Sequence, residues 1–142
     1  MGEEGMQAQR ILETCLYVDD LAAAKEFYSR VLGLQMFSEV EGRHVFLRCG
    51  QGVFLLFNPQ ATCQSSNPVP AHGAQGPGHV AFAMMPAEIP AWQEHLQQQG
   101  VTIEAQVTWP SGGHSIYFRD PAGNSLELTT PSTWGLQPEA QT

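Results

Sequence analysis

On either side of a central loop, this chain spells nearly the same order of elements twice. In the first half, the short β-rich run "ILETCLYV" leads to Asp20, which can cap a helix over "LAAAKEFYSRVLG". Leu21, Ala24, Phe27, Tyr28, Val31 and Leu32 fall there at helical spacing, and Gly33 ends it. Three strand-like runs follow, "LQMFSEV", "RHVFLRC" and "GVFLLF", separated by glycine turns. Residues 58–77 carry proline, glycine and serine without periodicity and read as a linker. Beyond it come a strand in "GHVAFAMM", a helix in "PAEIPAWQEHLQQQG", and strands in "VTIEAQV", "HSIYFRD" and "NSLELTT". The helix-ending glycines, Gly33 and Gly100, lie 67 residues apart, and "VFLR" matches "IYFR" at an offset of 71, as "GVFLLF" matches "GNSLEL". A period this long fits duplication of a module, not a solenoid. The fold expected is α+β: two tandem βαβββ modules forming a cupped mixed sheet around a cleft. A tail covers residues 1–9, module one 10–58, the linker 59–77, module two 78–131 and a second tail 132–142.

Strand alternation sorts the chemistry-bearing side chains by face. Leu12, Thr14, Leu16 and Val18 share one side of the first strand, and Glu13, Cys15 and Tyr17 the other. In module two, His79 stands in the opening strand opposite Val80 and Phe82, and Glu127 stands in the last strand opposite Leu126 and Leu128. Glu13, His79 and Glu127 therefore occupy the less apolar face of repeat-related strands. Two carboxylates brought together repel unless a cation lies between them. One imidazole with two carboxylates suits a divalent ion such as Fe(II), Mn(II), Zn(II) or Ni(II). Leu12, Val80 and Leu126 are expected to pack against the helices. The repeat places Leu56 where module two has Glu127.

Composition removes several function classes. Fourteen acids against six bases give a formal charge of -8, with no basic stripe for a nucleic-acid backbone. No apolar run approaches the roughly 20 residues of a membrane helix, and the acidic start is no secretory signal, so the cytoplasm is the expected location. Three cysteines without a CxxC spacing read as reduced thiols.

The segments "YVDDLAAAKEFYSRVLGL", "GPGHVAFAM" and "IYFRDPAGNSLEL" together resemble the vicinal oxygen chelate superfamily, which covers glyoxalase I, fosfomycin-resistance proteins, extradiol dioxygenases and bleomycin-resistance proteins. The resemblance spans residues 10–130. It implies paired βαβββ modules, frequently in a homodimer, and metal positions at Glu13, Leu56, His79 and Glu127. Glu13 departs from the histidine common there, and Leu56 cannot ligate, which leaves three ligands and speaks against glyoxalase I.

The resulting expectation is a divalent-metal enzyme, a lyase, isomerase or dioxygenase. It would act on a small oxygenated substrate chelated through neighbouring oxygens, with Tyr117 and Glu127 catalytic. Tyr17, Phe46, Arg48, Phe54, Leu56, Tyr117 and Arg119 are the substrate-binding candidates. A fosfomycin-type transferase is disfavoured by the absence of lysine and arginine from residues 120–142. A non-catalytic, bleomycin-resistance-type drug-binding protein is the competing class. Trp109 and His114 flank "PSGG", a loop able to cover the cleft; His72 is a distant candidate base, and His44 and His95 are expected at the surface.

Overall fold

The computed structural model describes residues 5–64 and 68–138. In module one, β1 (Glu13–Tyr17) leads to α1 (Leu21–Val31) and then to β2 (Gln35–Val40), β3 (His44–Cys49) and β4 (Gly52–Phe57). A short helix, α2 (Pro59–Thr62), opens the linker that was expected to be irregular; Asn58 caps it by accepting from Gln60 N. Module two runs β5 (His79–Ala83), a 3-10 turn (Pro86–Glu88), α3 (Ile89–Gln98), β6 (Ala105–Thr108), β7 (His114–Arg119) and β8 (Ser125–Thr129). A second 3-10 turn, Pro131–Trp134, follows.

Each module forms its own four-stranded mixed sheet, in the orders β1-β4-β3-β2 and β5-β8-β7-β6. The parallel pairs β1–β4 and β5–β8 put the first strand of each module beside its last. The start of α1 and the ends of α1 and α3 follow from their residues. Asp20 Oδ1 accepts from Ala23 N at 3.0 Å, and Gly33 and Gly100 take the left-handed conformation just past the helix ends.

One apolar core serves both modules. Leu16, Val18, Tyr28, Val31, Val45, Leu47, Phe54 and Leu56 join Met84, Leu96, Ile116, Phe118, Leu126 and Leu128 in a single cluster. Phe54 meets Phe82 edge-on with ring centres 5.5 Å apart. Polar bonds tie the halves as well. Tyr28 donates to Asp120 Oδ2 at 2.7 Å, and Asn124 links Tyr17 O to Gly78 N. Burial and the Asp120 carboxylate drive the Tyr28 phenol far above its ordinary range, so it keeps its proton and donates. His95 Nε2 lies 2.8 Å from Val31 O and draws α3 against α1.

Leu12 departs from its expected place. It is 63% exposed because β1 begins only at Glu13, leaving Leu12 at the rim of the sheet. Val80 and Leu126 pack in the core as the alternation predicts.

Candidate active site

The pairing registers set which side chains share a face. Ala81 stands beside Glu127 in the β5–β8 pair, and Cys15 stands beside Leu55 in the equivalent β1–β4 pair. The counterpart of Glu127 is therefore Leu55, correcting the assignment to Leu56. The offset of 71 holds from Phe46 to Tyr117, whose partners are Leu55 and Glu127. Arg48 pairs with Val53, five positions on, whereas its counterpart Arg119 pairs with Ser125, six positions on, so the offset becomes 72. That slip turns every β4 side chain to the opposite face from the one expected. Leu56 and Phe54, expected in the substrate pocket, are instead buried in the core; Phe54 packs against Tyr28 at 5.0 Å between ring centres.

The face of module two that lies outside the core carries a compact polar group. His79 Nε2 lies 3.3 Å from Glu127 Oε1, with 51% of the His79 side chain open against 10% for Glu127. His79 Nδ1 is 3.0 Å from the Ser125 carbonyl oxygen. A carbonyl only accepts, so Nδ1 carries hydrogen. In the neutral ring, Nε2 is then a lone pair aimed at a carboxylate oxygen. Two acceptors at that distance need a proton or a cation between them. The other Glu127 oxygen, Oε2, accepts from the Ser115 hydroxyl at 2.5 Å. Trp109 Nε1–H donates to Ser115 Oγ at 2.9 Å, and Thr129 Oγ1 stands 2.8 Å from it. Tyr117 stacks beside His79, ring centres 6.5 Å apart. Desolvation and the nearby Glu127 carboxylate raise its phenol above the ordinary value, so the ring stays a hydrogen-bond donor.

Glu13 is exposed on β1, opposite Val53. It does not join His79 and Glu127 within one chain: among the described residues, no three His, Cys, Asp or Glu side chains gather closely enough to hold a metal ion. On that same outer face of module one, Tyr17 OH and His72 Nδ1 are 2.6 Å apart. Burial and the neighbouring Cys15 thiol raise the Tyr17 phenol above its ordinary value, so it keeps its proton. His44 is buried, contrary to its expected surface placement, and stacks on Phe46 at 3.8 Å. Phe57 stands edge-on to Phe46 and to His72. The result is an aromatic wall on the outer face of module one, apart from the polar group of module two.

The arginines differ in availability. Arg119 is held by Glu104 at 2.7 Å, which takes it away from a ligand. Its repeat counterpart, Arg48, lies over the Phe37 ring at 4.3 Å and has no carboxylate partner among the described residues. His114 is occupied by Thr108 and Gln106, and serves the β6–β7 hairpin.

Sequence reasoning missed Ser115 and the inward role of Trp109. Strand alternation in "HSIYFRD" does put Ser115 on the Tyr117 side, so its face was legible. Nothing local shows that the Trp109 ring folds back over it, a contact made by the turn in which Trp109 N donates to Gly113 O.

Comparison with known proteins adds three findings. A family model described as the Glyoxalase/Bleomycin resistance protein/Dioxygenase superfamily matches residues 10–128. The crystal structure of a lactoylglutathione lyase from Agrobacterium tumefaciens is 41% identical, with a TM-score of 0.89, covering 92% of this chain and all of that one. The metallothiol transferase FosB of Bacillus licheniformis is 27% identical over 118 residues, 82% of this chain and 72% of the relative.

Proposed function

Because the chain belongs to the Glyoxalase/Bleomycin resistance protein/Dioxygenase superfamily, we propose that it is a divalent-metal-dependent enzyme acting on a small oxygenated substrate, with His79, Glu127 and Glu13 as metal ligands. One observation carries the reading. The His79 Nδ1–H is committed to a backbone carbonyl while Nε2 and Glu127 Oε1 face each other at 3.3 Å. This is the outer-shell arrangement by which proteins orient a ligating histidine, and the donor set fits a divalent cation. Glu13 lies outside this pair in its own chain, so the third ligand is assigned to Glu13 of a second copy in a homodimer. Leu55 offers no fourth ligand, which leaves coordination positions for substrate oxygens.

When bound, the ion would polarise two neighbouring substrate oxygens and acidify an adjacent C–H. Glu127 stands where its carboxylate can accept and return a proton beside such oxygens. Tyr117 offers a phenolic hydrogen to charge that develops on them. Phe46, Phe57 and Tyr17 of the facing copy would close an aromatic wall over the substrate, and Arg48 is a guanidinium free to meet an anionic end. A proton-moving lyase or isomerase fits these roles better than a dioxygenase, whose iron more commonly has two histidines and one carboxylate. The name of the Agrobacterium relative supports the lyase reading. That of FosB supports a thiol transferase as the alternative.

The test loads metal-free protein separately with Ni2+, Zn2+, Mn2+ and Fe2+ and assays formation of lactoylglutathione, then thiol transfer to fosfomycin. The expected result is turnover with at least one metal, and its loss in His79→Ala. A protein that binds metal yet turns over neither substrate would contradict both named reactions.

A further inference from the structure

Ser115 sits where two donors and one carboxylate meet a single hydroxyl. It is fully buried, and its Oγ touches Trp109 Nε1, Thr129 Oγ1 and Glu127 Oε2 at 2.9, 2.8 and 2.5 Å. An indole N–H only donates, and an ionised carboxylate only accepts. With Glu127 ionised, the Ser115 proton therefore goes to Oε2, and its two lone pairs take Trp109 and Thr129. Thr129, its proton spent on Ser115, receives one from Thr133 at 2.8 Å. Every hydroxyl proton in the row then points along Thr133, Thr129, Ser115 toward the same carboxylate oxygen. Each capacity of Ser115 is filled.

We propose that Ser115 and Trp109 are positioning residues that hold the Oε2 side of Glu127, so that a divalent cation meets Oε1 alone. The inference rests on the metal reading above. A carboxylate free to rotate could offer both oxygens to the ion and occupy a position needed by substrate. Here one oxygen is committed to a buried hydroxyl, and the other faces His79. Trp109 belongs to this device although it sits outside the strands. Its N–H fixes the Ser115 rotamer, and the ring is brought there by the 109–113 turn. That turn is anchored by Ser111 Oγ donating to Thr133 O, and Gly113 packs directly on Thr133, with no room for a Cβ. The turn and the 3-10 segment after β8 thus stand behind the carboxylate as one support.

The experiment titrates metal-free protein with Ni2+ by calorimetry, using wild type, Ser115→Ala and Trp109→Phe, the last removing the indole N–H together with the five-membered part of the ring. Loss of outer-shell partners typically weakens metal binding about 10–100-fold, and that loss is expected in both variants, with circular dichroism unchanged. A merely structural role would not change the carboxyl 13C resonance of Glu127 in folded, metal-free protein; the proposal expects Ser115→Ala to displace it. Variants that bind Ni2+ as wild type does would overturn the proposal and leave the metal reading intact. Were wild type itself to take up no Ni2+, the metal reading would fall. The proposal would then be decided by the 13C resonance: a displacement supports the clamp on Glu127, and an unmoved signal overturns it.

Discussion

Burial and the Arg43 guanidinium hold the His44 imidazole below its ordinary value, between Phe46 and Phe57. In the unfolded chain the ring takes a proton near pH 6.5, while the folded ring still resists it. Below that pH the unfolded state binds more protons, so stability falls as pH drops from 6.5 toward the lower folded value. Urea midpoints between about pH 7.5 and 5.5 should decline in wild type, and decline less in His44→Gln. Equal slopes in the two proteins would contradict this account of His44. A ring's burial of this kind is not legible in "GRHVFLRC", where His44 follows a turn and reads as exposed. Its cover comes from Phe46 two residues on and from Phe57 across the strand pair. By contrast, the faces of Glu13, His79 and Glu127 follow from alternation alone, since a strand has a period of two.

Turns decide what alternation cannot. The repeat and both helix ends were readable because capping residues and glycines are local signals. The register between β3 and β4 was not, because the span from Arg48 to its partner Val53 is one residue shorter than that from Arg119 to Ser125 in module two. Asp120 builds that longer turn, accepting from Ala122 N and Asn124 N at 3.0 and 2.8 Å. The second informative turn is Trp109–Gly113. A Cβ on Gly113 would lie 2.1 Å from Thr133 Oγ1 and 2.5 Å from its backbone N and Cα. Because backbone atoms are among those met, side-chain rotation cannot relieve the contact. Gly113→Ala should cost at least about 1–3 kcal/mol in denaturant unfolding, with the 3-10 segment displaced. A Gly113→Ala protein as stable as wild type would refute the close packing of these two turns. At Gly42, where a Cβ meets nothing within 4 Å, the penalty comes from a φ of +78° alone.

At the scale of the whole molecule, the central claim is that the chemistry needs two modules drawn from two copies. The helix-side faces are used up in one shared core, while the exposed Glu13 and the His79–Glu127 pair lie on outer faces and remain apart in the chain. The tandem modules could be read from the sequence because the repeat is internal. Their mutual placement could not, because either face of the module-one sheet carries enough apolar residues to serve as a core: Leu55 and Phe57 are as buried as Leu16. The most direct measurement is the metal content of purified protein after loading and desalting, for wild type, Glu13→Ala, Glu127→Ala and a mixture of the two variants refolded together. The account predicts near-stoichiometric metal in wild type, little in either variant alone, and recovery in the mixture, where one hybrid site regains all its ligands. No recovery would contradict a site shared between copies, and no metal in wild type would contradict the site itself.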